Sequence, residues 1–231
     1  MEQPKVIIQL SVPGSIEYIG VNNVWENETC FLIGCGKSIE PIFNQVGLDW
    51  LHGKHSIGMN HIIEDYNKFE WFCFLDQAFL EKTSYDIKKY KGKIFARNTT
   101  KLKHEGNINI FHTTSRKPTS RIEDGLYHPH LTGLIALSLA IISGANTIYL
   151  LGYGNGIDFS QENYHYKPNY TGEERSGSVF TKMTNAAALY YKSYESFKDR
   201  IIHVTDGTDI PVFNKIDTNT FMTMFCKGQS K

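Results

Sequence analysis

Cys30-Phe-Leu-Ile-Gly-Cys-Gly-Lys-Ser-Ile-Glu-Pro41 decides the fold. The apolar run Cys30–Ile33 breaks into Gly34-Cys-Gly-Lys-Ser38, and apolar and polar residues then mix at helical spacing. That order reads as strand, tight glycine turn, helix. Gly34 and Gly36 allow backbone angles and close approaches that a Cβ would block. Amides of such a turn can approach a phosphate, and the helix start behind it favours negative charge. Ser38 can cap the helix or bond an anion. The spacing is not that of a P-loop, which needs four residues between its first glycine and Gly-Lys-Ser/Thr. The third glycine of a dinucleotide fingerprint is missing too. A βα turn built with glycines for steric reasons alone explains the motif equally well.

Outward from this stretch, strands and helices alternate. Residues 5–11 and 15–21 read as strands around the turn signal Pro13-Gly14, an N-terminal β-hairpin that decorates the main sheet. A helix is expected over residues 38–46, with Pro41 in its first turn. Strands follow at 55–60, 69–75, 93–97, 107–111, 147–151 and 201–204, and helices at 77–90, 132–144, 181–198 and 217–226. The 132–144 segment is apolar nearly all round, so it is expected to be buried. The pattern predicts an α/β fold with a mostly parallel sheet covered by helices on both faces. We divide the chain into a β extension, residues 1–28, and a single domain, residues 29–231.

Bulk composition sets limits. The chain has 231 residues, 41% hydrophobic and 21% charged, enough to bury a proper core in one domain. Lys and Arg number 24, as do Asp and Glu, so no net basic field draws in nucleic acid. Only a local patch around Lys101, Lys103, Arg116, Lys117 and Arg121 is basic. The four cysteines, Cys30, Cys35, Cys73 and Cys226, show neither zinc-ligand nor disulfide-framework spacing. No apolar run reaches membrane-spanning length, and no signal peptide is legible. A cytoplasmic protein is the expectation. The hairpin offers an edge for homo-oligomer assembly.

In an open parallel sheet, ligands sit beyond the carboxyl ends of the strands. The residues expected there are Gly34, Gly36, Ser38, Asn60, Asp76, Thr132, Gly133, the Gly152–Asp158 turn and Thr205–Thr208. Each also has a plain structural reading. Asp76 reads as an N-cap, Asn60 as a turn residue, and Gly152 as a chain reversal. As a set they offer amides, hydroxyls and a carboxylate to the phosphates, ribose and base of a nucleotide. The long loop 157–180 carries Tyr164-His165-Tyr166, in which His165 is suited to take a proton from an attacking hydroxyl. His128 and His130 compete for that role, and an ordinary surface histidine fits as well.

These motifs, in this order, resemble a superfamily that holds the bacterial sialyltransferases using CMP-sialic acid. It also holds motility-associated flagellin glycosyltransferases, the archaeal 6-hydroxymethylpterin pyrophosphokinase and small phage-type members. The resemblance runs in patches over residues 30–216: Gly34-Cys-Gly-Lys-Ser38, Asn60 after a short strand, Thr132-Gly133 opening an apolar helix, Ala145-Asn-Thr-Ile-Tyr-Leu-Leu-Gly-Tyr153, Tyr164-His-Tyr166 and Thr205-Asp-Gly-Thr208. It implies a Rossmann-like domain in which Gly34, Gly36, Ser38, Asn60, Thr132 and Gly133 hold a nucleotide. It further implies His165 as base, with Tyr164 and Tyr166 helping the phosphate leave. One departure stands out: relatives carry Asp shortly after the Leu-Gly of the central strand, and here Tyr153-Gly154-Asn155 occupies that place.

The function expected from all this is a glycosyltransferase with a nucleotide-sugar donor, CMP-sugar above others. A glycan or small hydroxylated acceptor completes the pair, and metal is not required. Two alternatives remain at this stage. One is an ATP-dependent pyrophosphokinase of the hydroxymethylpterin type, which would need magnesium and several carboxylates. The other is a nucleotide-binding module without catalysis.

Overall fold

The computed structural model describes residues 7–9, 16–18, 21–75, 79, 90–97, 108–111, 117–122, 126–127, 131–153, 187, 189–207 and 210–227. Its strands are β1 (Ile7–Gln9), β2 (Ile16–Tyr18), β3 (Thr29–Ile33), β4 (His55–Met59), β5 (Trp71–Phe74), β6 (Lys93–Arg97), β7 (Ile108–Phe111), β8 (Thr147–Leu151), β9 (Ile201–Val204) and β10 (Asn214–Ile216). Its fully described α-helices are α1 (Glu40–Val46), α2 (Thr132–Ile142) and α3 (Thr218–Phe225).

Strands β3 to β10 form one sheet in the order β10-β9-β8-β3-β4-β5-β6-β7. Every pairing in it is parallel, so the expected mostly parallel sheet is in fact entirely parallel. The antiparallel pair β1–β2, with Ile8 opposite Glu17, is a separate two-stranded ladder and contributes no strand to that sheet. Its expected turn, Pro13-Gly14, lies outside the described residues.

Alternation along the strands sorts side chains to two faces. Cys30, Leu32, Ile57, Met59, Trp71, Cys73, Ile148 and Leu150 share one apolar cluster with α2, whose residues Leu134 to Ile142 are all buried. Phe31, Ile33, Phe72, Phe74, Tyr149 and Leu151 share the other with Ile42 of α1 and Phe221 of α3. Helices therefore cover both faces, and the strands are buried on both sides. Phe221 and Phe225 meet the ring of Phe31 edge-on, which docks α3.

The chain starts the sheet at its centre. From β3 it steps through β4 to β7 on one side, then returns to place β8, β9 and β10 on the other. The strand order reverses between β3 and β8, which makes that junction the switch point of the sheet. The amino-terminal edge of the sheet is closed. There Trp25 donates its indole N–H to Glu70 (3.1 Å), His55 Nδ1 sits 2.6 Å from the same carboxylate, and the Trp25 ring stacks on that of His55. Asn23 and Trp25 hydrogen-bond to Ile142 and Ser143 at the end of α2, so residues 21–28 are fastened to the domain.

Two helices differ from expectation. The one expected over 38–46 opens as a 3-10 turn, Lys37–Ile39, before α1 begins. The one expected over 181–198 is helical at Ala187 and 189–192, then ends; Glu195–Arg200 is a 3-10 segment. Tyr194, where the helical path is left, anchors its hydroxyl to Ser138 and to the carbonyl of Leu134. The helix expected over 77–90 lies outside the described residues except at Phe79 and Tyr90. No helix among the described residues is long and apolar enough to cross a membrane.

Candidate functional site

At the switch point, β3 and β8 run in register with Ile33 beside Leu151. The pairing continues past both strands. The Gly34 amide donates to Leu151 O at 2.8 Å, and the Gly36 amide to Gly152 O at 2.6 Å. Two of the amides expected to face a phosphate thus serve the crossing of two chain turns. The following 3-10 turn starts at Lys37, and its first amides have no preceding carbonyl within the helix. Ser38 does not cap this turn. Its hydroxyl is buried and finds no hydrogen-bond partner among the described residues, while Lys37 beside it is exposed. A buried hydroxyl without a partner is unfavourable unless something else supplies one.

The end of β4 lies against this bend. The Cys35 thiol donates to Met59 O at 3.2 Å. Burial pushes that thiol up to about 12, a shift partly opposed by the nearby backbone of Ile62 and His61. Cys35 is therefore a neutral donor and not a nucleophile. Asn60, the next residue along β4, is half-buried and has φ +51°, in the left-handed region. It opens the 3-10 turn Asn60–Glu64, across which His61 Nδ1 meets Glu64 Oε1 at 2.7 Å.

The start of α2 completes the group. Leu131 is its N-cap and supplies no side-chain cap, and Thr132 and Gly133 are half-buried. Tyr153, just beyond Gly152, donates its hydroxyl to Gly133 O at 2.9 Å and lies 3.7 Å from Met59 Sδ. Burial raises its phenol well above the usual range, so the hydroxyl keeps its proton. One side chain thereby links the ends of β8, β4 and α2. The sequence marked position 153 only for lacking an aspartate. The available signal was a tyrosine directly after the glycine that ends a central strand.

The described part of the expected site comes together. Gly34, Gly36, Ser38, Asn60, Thr132, Gly133 and Gly152 occupy one stretch of the carboxyl edge, joined through Cys35, Met59 and Tyr153. Asp76, Tyr164, His165 and Tyr166 lie outside the described residues, as do His128, His130, Gly154, Asn155 and Asp158. The Thr205 turn is engaged elsewhere. Thr205 Oγ1 accepts from the Gly207 amide, and the Asp206 carboxylate takes the amide and hydroxyl of Thr218. Asp217 caps the same helix, α3, through Thr220. Among the described residues, no group of three or more His, Cys, Asp or Glu is placed to hold a metal ion.

The fold and this edge define an α/β protein whose main sheet is open and all parallel, with its switch point between β3 and β8. No family model, no curated protein and no solved structure matches the chain.

Proposed function

We propose that this chain is a nucleotide-dependent transferase, with a nucleotide-sugar of the CMP type as donor and a hydroxylated acceptor. The observation that carries the reading is the convergence at the switch point. Asn60, Thr132, Gly133 and the Lys37–Ile39 turn lie together where an open parallel sheet takes its ligand. Exposed Lys37, at the start of the 3-10 turn, would add a countercharge to a phosphate there. Asn60 carries donors and acceptors that suit a base or ribose.

In this reading His165 takes the acceptor's proton as the acceptor oxygen attacks the anomeric carbon. The bond from that carbon to the phosphate oxygen breaks, and its electron pair leaves on the nucleotide. Tyr164 and Tyr166 donate to that leaving phosphate, and no metal is required.

Thermal-shift measurements with CMP, UDP, GDP and ATP, each with and without magnesium, test the proposal. Stabilisation by CMP without magnesium is expected. Stabilisation by ATP only with magnesium would replace the reading with a pyrophosphoryl transferase, and no response to any nucleotide would remove it.

A further inference from the structure

Asn60 is held on both sides. Before it, the carbonyl of Met59 accepts the Cys35 thiol. After it, His61 and Glu64 close the 3-10 turn with a 2.7 Å contact between Nδ1 and Oε1. Side chains three apart eclipse one another in a 3-10 turn, so this pairing suits that geometry. The His61 ring is also anchored, edge-on, against Phe79, itself packed on Phe72 and Phe74.

The backbone so held is unusual. Asn60 has φ +51°, and an L-residue in that region is disfavoured unless its surroundings enforce it. The two other asparagines with positive φ, Asn23 and Asn27, lie in the turn over residues 22–27, before β3. Among the described residues, Asn60 is the one non-glycine residue with positive φ on the carboxyl edge beside the switch point.

We infer that Glu64 and His61 are positioning residues for nucleotide binding: their contact across the turn holds Asn60 in the left-handed conformation that presents its carboxamide to the ligand. This rests on the nucleotide-binding reading above. Glu64 is exposed, so the contact contributes little to global stability. Its effect falls on the placement of one neighbouring side chain. A neutral imidazole with its proton on Nδ1 and an imidazolium both donate to the carboxylate. The device therefore needs an acceptor at position 64 and not specifically a charge.

The test is a double-mutant cycle on the full chain, read by calorimetric titration with CMP. Glu64→Ala should weaken CMP by about fivefold while the melting temperature barely moves. Glu64→Gln, which keeps an acceptor oxygen, should restore affinity to within about twofold of wild type. In an Asn60→Gly background, Glu64→Ala should cause no further loss, because the side chain it positions is gone. Should Glu64→Ala fail to fold, His61→Ala replaces it in the same cycle. The inference is overturned if wild type binds CMP and Glu64→Ala binds it equally well. It is overturned too if the Glu64→Ala loss is the same with and without Asn60. Wild type that does not bind CMP at all overturns the nucleotide reading first, and this inference with it.

Discussion

Gly34 and Gly152 cross with their backbones in contact: a Cβ on Gly34 would stand 2.5 Å from Gly152 O, and one on Gly152 would stand 2.3 Å from Gly34 O. Gly152 also has φ +68°, where a side chain is strained whatever the space. Neither neighbour is a flexible side-chain tip, so the backbone itself would have to move. Gly34→Ala should cost about 1–3 kcal/mol from overlap alone. Gly152→Ala adds left-handed strain and should cost about 2–4 kcal/mol. Urea unfolding of both variants checks the magnitudes and the order. A Gly152→Ala protein within about 0.5 kcal/mol of wild type would contradict this crossing.

That crossing shows where sequence reading stops. Apolar Cys30–Ile33 followed by glycine announces a strand and a turn whatever the turn faces. Glycine reads alike when a phosphate approaches and when another strand does, so nothing local told Gly34 from a phosphate-binding glycine. The buried strands β5, β6 and β8 were legible because each carries a short apolar run between polar breaks. β10, Asn214-Lys-Ile216, was not, because an edge strand with two exposed residues leaves no apolar run. The strand order was not legible either: it is set by which distant strands pair, and each strand alone has the same pattern. The early end of the 181–198 helix coincides with the tertiary hydroxyl contacts of Tyr194, which periodicity cannot register.

Those contacts belong to a buried hydroxyl network. Ser138 Oγ lies 3.0 Å from Tyr127 O and 2.8 Å from Tyr194 OH, which lies 2.8 Å from Leu134 O. Three contacts share two hydroxyl protons, so only two hydrogen bonds exist at any moment. Each single variant, Ser138→Ala or Tyr194→Phe, removes one proton and should cost about 1 kcal/mol. The double variant should cost about 2 kcal/mol, close to the sum. If instead each hydroxyl could hold its bond only with the other present, the singles would together exceed the double. Chemical denaturation of the four proteins separates the two cases.

Buried acids give the stability a pH dependence on the alkaline side. Burial pushes Cys35 up to about 12 from 9.0, Tyr66 up to about 12 from 10.0, with Asp49 adding to it, and Cys226 up to about 11 from 9.0. Each folded pKa lies above its unfolded value, so above the latter the unfolded chain has released protons that the folded chain still holds. Stability from these groups is whole below pH 9.0 and declines as pH rises through the folded values near 11 and 12. Melting temperature measured from pH 7 to 11 should fall only above about pH 9. A rise across that interval would have the wrong sign. Below pH 9, Cys35 in the native protein should react with iodoacetamide far more slowly than in the unfolded chain.

Tyr153 and Gly133 permit a test in which the sign, and not only the size, is diagnostic. A Cβ on Gly133 would stand 2.9 Å from Tyr153 Cε1, so the ring occupies the space an alanine would need. Alanine in place of glycine within a helix is otherwise favourable by about 1 kcal/mol. In wild type the displaced ring, with its hydrogen bond to Gly133 O, should outweigh that gain, and Gly133→Ala should be destabilising by about 1 kcal/mol. In a Tyr153→Ala background the obstruction is gone, and the same substitution should stabilise by up to about 1 kcal/mol. The sign reversal follows only if this ring is what the glycine accommodates. The same sign in both backgrounds would mean that something other than this ring disfavours a side chain at position 133. Whether a ligand also needs glycine there is a separate question, read from CMP affinity and not from stability. If the ring alone demands glycine, a Tyr153→Ala protein binds CMP equally with Gly or Ala at 133. If a ligand demands it, alanine weakens CMP even where the fold is relieved.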